Sequence, residues 1–276
     1  MTATGDTAPA GTAAGGQPRG QAETVLITGA SSGIGKELAR LFAADGARLV
    51  LVARSRGKLA ELAAELAEAH GTQARVMPAD LSQPGSAGEI AAALAAGHID
   101  VDVLVNNAGL GAHGSVADLG AGRQLEVIEV NVAALTRLTA LLLPGMVARH
   151  RGAILNVAST AAFQPGPHQA VYCAAKAYVL SFSEALAEEV RGAGVRVTCL
   201  APGATGTGFA AQAGMAGTRL FSRGVMDAAS VARAGHAGLR RGKTLVIPGA
   251  ANRAMAFAVR LSPRAAVTKI SGYLQA

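Results

Sequence analysis

The sequence predicts an α/β protein, with a doubly wound parallel sheet of about seven strands and helices on both faces. Three observations carry this. Short apolar runs alternate with longer helical stretches along the chain, the order that builds a parallel sheet through helical crossovers. Most of these runs are apolar throughout, as strands covered on both faces are. A glycine-rich turn joins the first run directly to the first helical stretch.

In order, a strand over 24–28 runs into the turn 29–35, and a helix over 36–44 stops at Asp45-Gly46. A second strand spans 48–53. The helix 58–70 places Glu61, Glu65 and Glu68 on an exposed side and ends at Gly71, a residue suited to a left-handed cap. A strand over 75–78, a helix over 87–96 and a strand over 101–105 follow, then a long helix over 130–149. The pattern closes with strands over 153–157, 195–200 and 244–247, and a helix over 171–191 between the first two of these.

A length of 276 residues suits one large domain, spanning 23–248. Residues 1–22 are rich in Ala, Gly, Thr and Pro and read as a flexible tail. They lack the basic start and apolar stretch of a secretory signal. No run reaches the roughly 18 continuous apolar residues of a membrane span. Cys173 and Cys199 form neither a disulfide framework nor a metal-ligand spacing, so a cytoplasmic location without metal is expected. Cys173 reads as a small core thiol.

The net charge of +7 is uneven. No acidic residue follows Asp227, while Arg233, Arg240, Arg241, Lys243, Arg253, Arg260, Arg264 and Lys269 do. Aromatic residues make up only 3%, which argues against stacking platforms for nucleic acid. The basic residues track no reading motif, so no nucleic-acid partner is expected.

Ligands of such a sheet bind beyond the carboxyl ends of its strands. Gly29, Gly33 and Gly35 lie there, where glycine permits close approach of a pyrophosphate to a helix N-terminus. An acidic residue after the second strand would bind a ribose 2′-hydroxyl and repel a 2′-phosphate. This chain has Ala53, Arg54 and, close by, Arg56. A guanidinium there suits a phosphate, so NADP(H) is expected over NAD(H).

Tyr172 and Lys176 are four residues apart, with Ser159 thirteen residues before the tyrosine. Residues i and i+4 share a helix face. A phenol ionises near pH 10 when unperturbed, and a neighbouring ammonium lowers the cost of the phenolate. With Ser159 holding a carbonyl oxygen, this pattern suits proton transfer in alcohol–ketone chemistry.

Thr28-Gly-Ala-Ser-Ser-Gly-Ile-Gly35, Asp80-Leu81, Asn106-Asn-Ala-Gly109, Asn131, Ser159, Tyr172-x-x-x-Lys176 and Pro202-Gly203 together resemble the short-chain dehydrogenase/reductase family, whose fold is Rossmann-like. The resemblance covers about residues 23–248. It implies that Gly29, Ser31, Ser32, Gly33, Ile34 and Gly35 hold the cofactor, with Arg54 beside them. Asp80 faces the adenine, with Leu81 packed beside it, and Asn107, Ala108 and Gly109 line the adenosine and ribose. Tyr172 becomes the acid/base and Ser159 the carbonyl-orienting hydroxyl. Lys176 bonds the nicotinamide ribose and lowers the tyrosine pKa, and Asn131 helps hold a water linking Lys176 to solvent. Pro202 and Gly203 pack by the nicotinamide and Thr207 bonds its carboxamide, while Thr205 stands where the family favours an aliphatic residue. A homo-oligomer, paired through the helices 130–149 and 171–191, is also implied.

Substrate is expected among 110–115, 160–169 and 205–227, beneath an apolar lid of Phe163, Phe209, Met215, Leu220 and Phe221. His113 and His168 read as exposed loop residues. The leading reading is an NADP(H)-dependent oxidoreductase interconverting a hydrophobic ketone or aldehyde with its alcohol. A 3-oxoacyl-thioester reductase and a cofactor-binding sensor or scaffold are the alternatives. Beyond Pro248, the basic and apolar segment 249–276 has three readings: a helical cover for the cleft or for a subunit interface, a contact with an anionic membrane surface, or an attractor for an acidic thioester substrate.

Overall fold

The computed structural model describes residues 22–215, 217–219 and 225–275. The expected tail, apart from Ala22, and the lid residues Leu220 and Phe221 lie outside them. Seven parallel strands form one sheet. β1 (Thr24–Thr28), β2 (Arg48–Ala53) and β3 (Ala74–Pro78) make one half, and β4 (Val103–Asn106), β5 (Gly152–Val157) and β6 (Val195–Leu200) most of the other. Two further two-residue strands, β7 (Thr205–Gly206) and β8 (Met226–Asp227), pair only with each other. The edge strand is β9 (Leu245–Val246), and the order across the sheet is β3-β2-β1-β4-β5-β6-β9. The chain reverses direction across the sheet between β1 and β4, which opens a crevice above their carboxyl ends.

Alternation along each strand sends side chains to two cores. Val25 and Ile27 of β1 pack with Leu49 and Leu51 of β2 on one face, beneath α1 (Gly33–Ala44), α2 (Arg56–His70) and, later in the chain, α8 (Ala228–Arg240). Leu26, Val50 and Val52 face the other core, beneath α3 (Ser86–Ala96) and helices that follow β4. On α2, Leu59, Leu62 and Leu66 are buried at helical spacing, while Glu65 faces α1 and pairs with Lys36 and Arg40.

The helix expected at 130–149 begins earlier. α4 (Val116–Ile128) is capped by Ser115, whose hydroxyl accepts from the Asp118 amide, and it bends at Gly120. The chain then makes a π-helical turn over Glu129–Ala134 before α5 (Leu135–Ala148). Polar residues and glycines at 118–123 mask the helical period in the first part. By length and composition the run Val116–Ala148 is apolar enough to cross a membrane, yet Leu135, Leu138 and Met146 are buried in the sheet-packed cores.

Sequence patterning missed α8. Asp227 caps it, accepting from the Ser230 amide at 2.7 Å. Gly235 and Gly238 look like helix breakers, but they allow α8 to meet the sheet: an added methyl would lie 2.6 Å from Leu200 and 2.3 Å from Val246 respectively. Close packing outweighs the propensity cost. α6 (Ala170–Glu189) carries the tyrosine and lysine. After β9 come α9 (Ala250–Leu261) and α10 (Arg264–Gln275), separated at Pro263. Phe257, Leu261, Ile270 and Tyr273 are exposed on them.

Candidate functional site

Thr28, the last residue of β1, sets the site's geometry. Its hydroxyl donates to the Val105 carbonyl and accepts from the Asn107 and Ala108 amides, at 3.0 Å each. The Asn107 side chain in turn donates to the carbonyls of Thr28 and Gly29. The glycine turn and the loop after β4 are therefore one rigid unit. Gly29 and Gly33 have φ of +64° and +55°, a region that favours glycine. A methyl at Gly35 would sit 2.3 Å from the Gly29 carbonyl oxygen and 2.4 Å from the Asn107 amide nitrogen.

One cavity runs from this turn across the sheet crevice. Gly29, Ser31, Ser32, Gly33, Ile34, Arg54, Asp80, Leu81, Asn107, Ala108, Gly109, Pro202, Gly203 and Thr207 line one part, and Ser159, Tyr172 and Lys176 the other. Gly35 lies beneath the turn rather than in the wall. Arg54 is exposed at the end of β2 and makes no hydrogen bond or ion pair among the described residues. Asp80 holds its own loop, accepting from the Ser82 amide and hydroxyl. Thr207 closes over the glycine turn: a methyl at Gly33 would lie 2.9 Å from its Cγ2. Thr205 is buried and donates to the Gly203 carbonyl.

These features fit a dinucleotide. The turn has no side chain at the points where a Cβ would clash, and a cationic group without a partner among the described residues stands beyond β2.

Tyr172 is buried at the start of α6, its ring 5.5 Å from that of Phe209. Lys176 is also buried. Its amine donates to the Val157 carbonyl at 2.8 Å and lies 5.8 Å from the centre of the Tyr172 ring. The expected lowering of the phenol pKa by this amine is absent. Burial raises the phenol's pKa, and the hydrogen bond from Ser159 opposes that only in part. Burial also lowers the lysine, to about 8. In the unliganded cleft desolvation is the largest cause at both groups, and the tyrosine is held as a neutral acid.

Asn131 sits in the π-helical turn, behind the cavity wall. Its amide nitrogen donates to the Leu110 and Val127 carbonyls and its oxygen accepts from the Leu110 amide. The side chain's polar atoms are engaged by backbone, so the side chain positions the 109–110 loop. That loop is tight. A methyl at Gly109 would meet the Asn131 oxygen at 3.0 Å and the Lys176 amine at 3.5 Å.

Phe209 and Met215 line the cavity as expected of a lid, whereas Phe163 packs into the core with Leu135 and Val179. His168 is exposed, but His113 is half-buried and bonds the Gln275 carbonyl at 2.7 Å. Both thiols are buried and free, and burial pushes Cys173 up to about 11 and Cys199 up to about 12. The segment 249–276, one reading of which is a cover for the cleft, supplies a wall of the cavity, although the sequence does not single out its lining residues. Met255 comes from α9, Ser271, Leu274 and Gln275 from α10, and Gln212 from the single turn α7 (Phe209–Gln212). Asn252 of α9 also abuts Gly203. Nothing in an Ala-rich, basic segment marks these residues, because only the fold brings them to the cleft.

Comparison with known proteins agrees with this geometry. The sequence profile of short chain dehydrogenases matches residues 23–216. A short-chain dehydrogenase from Sphingobium yanoikuyae, solved in complex with NADPH, is 35% identical with a TM-score of 0.79, over 87% of this chain and 93% of that one. A bulky-bulky ketone specific alcohol dehydrogenase from Comamonas testosteroni is 31% identical with a TM-score of 0.74, over 87% and 92%. A very-long-chain 3-oxoacyl-CoA reductase from Phaeosphaeria nodorum is 38% identical over 66% of this chain. The chain spans less than two thirds of the length of several curated relatives, 54% in the case of that reductase. With its profile match, its parallel seven-stranded sheet and its nucleotide cleft, the chain belongs to the short-chain dehydrogenase/reductase family, oxidoreductases that use a nicotinamide cofactor.

Proposed function

We propose that the protein is an NADP(H)-dependent oxidoreductase that interconverts a largely hydrophobic ketone or aldehyde with its alcohol. The observation that carries this reading is a single cavity that joins Tyr172, Ser159 and Lys176 to a glycine turn and Arg54.

The bound nicotinamide supplies or takes up the hydride; the chain's own residues bind, orient and move a proton. The turn at Gly29–Gly35 presents backbone amides at a helix start, where a pyrophosphate is stabilised. Arg54 meets the 2′-phosphate. Lys176 and the backbone beside Gly109 and Pro202 hold the nicotinamide end. The Ser159 hydroxyl, already accepting from the Ala161 amide at 3.1 Å, donates to the substrate's carbonyl oxygen. Tyr172, held protonated by burial, gives that oxygen its proton as negative charge develops. In the reverse direction the phenolate form accepts the alcohol's proton, so oxidation is favoured by rising pH.

The choice of cofactor rests on Arg54 and on the lack of a carboxylate beside it. The ratio of kcat/KM for NADPH to that for NADH is expected to favour NADPH. Arg54→Ala should cut that ratio by roughly ten- to a hundredfold, the worth of a hydrogen bond to a charged group. An NADH preference in the unaltered protein would sink the assignment.

A 3-oxoacyl thioester is the second reading, favoured by the likeness to a 3-oxoacyl-CoA reductase. Loss of NADPH absorbance with simple ketones, aldehydes and 3-oxoacyl thioesters in parallel separates the two. Turnover of thioesters alone selects the second reading. Cofactor binding without turnover of any carbonyl would overturn both.

A further inference from the structure

α9 and α10 each turn one face to the cleft and leave the other in water. Met255 of α9 and Ser271, Leu274 and Gln275 of α10 line the cavity. Asn252, Ala256 and Val259 complete the covered face of α9, and Val267 that of α10. The opposite faces of both helices therefore point away from the cavity. On α9 that outer face carries Phe257 and Leu261, 63% and 74% exposed, which share one side because they are four residues apart. On α10 it carries Ile270 and Tyr273, 61% and 63% exposed. Apart from Asn252, Arg253 and Arg260, every residue of α9 is apolar. A helix apolar all round is ordinarily buried, yet among the described residues nothing covers the outer side of this one.

The charges around these side chains have one sign. Arg253 and Arg260 are exposed on one flank of α9, and Arg264 and Lys269 are exposed on α10. None of the four forms an ion pair among the described residues. Neither helix contains an acidic residue. Arg219 adds a guanidinium stacked 4.1 Å over the Tyr273 ring. Two copies of this surface would set the same cations face to face, since a two-fold interface pairs a patch with itself. Large apolar side chains among exposed cations, with no carboxylate between them, suit a partner that is anionic at its surface and apolar beneath.

We propose that the outer faces of α9 and α10 form a docking surface for an anionic phospholipid bilayer. Phe257, Leu261, Ile270 and Tyr273 enter the boundary between headgroups and acyl chains. Arg253, Arg260, Arg264 and Lys269 meet phosphate and carboxylate groups at headgroup level. Binding is peripheral, because each helix has 12 residues and a span needs about 20. The cleft stays covered by the same two helices, with Met255 and Leu274 on the side away from the lipid. The proposal goes beyond the reaction and holds whichever carbonyl is turned over.

The test uses the full chain and phosphatidylcholine vesicles with or without phosphatidylserine. The chain contains no Trp, so Phe257→Trp places a single indole on the docking face. Leu125→Trp is the control, at a side chain 62% exposed on α4. Phosphatidylserine vesicles should shift the emission of the first variant to the blue, and brominated acyl chains should quench it, with the control unmoved. The unaltered protein should sediment with the anionic vesicles only, and be released at about 1 M salt, where the screening length falls to about 3 Å. Arg260→Glu should lower the partition coefficient about fivefold or more, the worth of one cation at such a surface, and Phe257→Ser about tenfold or more. Arg241→Glu, the same reversal at the exposed end of α8, should lower it far less. Equal weakening by the two reversals would mean attraction by net charge alone and overturn the proposal. Absence of sedimentation, or sedimentation without a blue shift in Phe257→Trp, would overturn it too. If Phe257→Ser breaks up an oligomer by light scattering and vesicles bind neither protein, the face is a subunit interface instead. Thermal unfolding and NADPH binding should match the parent in each variant, since these side chains lie outside the cavity. Leu261→Ser or Arg264→Glu replaces any variant that fails this check. Loss of the lipid result leaves the oxidoreductase reading intact, because carbonyl turnover is measured without vesicles.

Discussion

Tyr172→Phe is expected to lower kcat by about 10²–10⁴-fold, the range that a positioned acid or base contributes, with the dissociation constant for NADPH changed less than about threefold. The substitution removes one oxygen and little else. The phenyl ring keeps its packing against Ala112, Val127 and Phe209. The wall residues of the nucleotide end stay in place because Thr28 and Asn107, not Tyr172, tie them together. Fluorescence titration with NADPH and single-turnover kinetics provide the two readings. Turnover retained in the purified variant would remove Tyr172 as the proton donor, whatever the family pattern.

Lys176→Met is expected to raise the stability of the unliganded protein at pH 7 while sharply weakening turnover. The amine's folded pKa is about 8, against 10.5 for the ordinary group. Because that pKa is depressed, the folded chain binds fewer protons than the unfolded chain between those values. Stability from this group therefore rises with pH across about 8 to 10.5, and the burial cost is fully present below pH 8. A shift of this size corresponds to about 3 kcal/mol, less what is lost when the Val157 carbonyl loses its donor. The Tm of the variant should exceed that of the parent at pH 7, and the gap should narrow as pH approaches 10. Comparing the two proteins at each pH cancels Cys173, whose raised pKa makes stability fall with pH from about 9 upward in both, and readings below pH 9 precede the titration of Cys199, which is coupled to the lysine. A gap that stays constant with pH would show that the lysine is not the source.

The strands and the nucleotide turn were legible in the sequence because their signals are local. Apolar runs bounded by Gly, Asp and Asn locate β1 to β6 within about two residues, and the glycines of 29–35 need no partner to be recognised. Tyr172, Lys176 and Ser159 were legible by spacing. What spacing could not show was the electrostatic state, since the depth at which α6 carries Lys176 depends on elements far along the chain. The far wall was legible only as one of three readings of 249–276. Met255, Ser271 and Gln275 reach the cleft once α9 and α10 fold across it, and no pattern in the segment singles them out. α8 was hidden by Gly235 and Gly238, whose value lies in contacts with Leu200 and Val246.

The π-helical turn at Glu129–Ala134 behaves as a one-residue phase error between two helices. An α-helix advances about 100° per residue, so an extra residue lets α4 and α5 keep separate rotational settings: Val127 packed with Ala112 and Tyr172, Leu135, Leu138 and Met146 turned to the sheet. Deleting a single residue within 129–134 would restore a regular helix yet spin α5 by about 100°, carrying its buried stripe into water. Replacing a residue there other than Asn131 by alanine keeps the count and spares the alignment. A family built on this scaffold is thus free to vary the letters of the turn other than Asn131 but not their number, and gaps in an alignment should avoid these six positions.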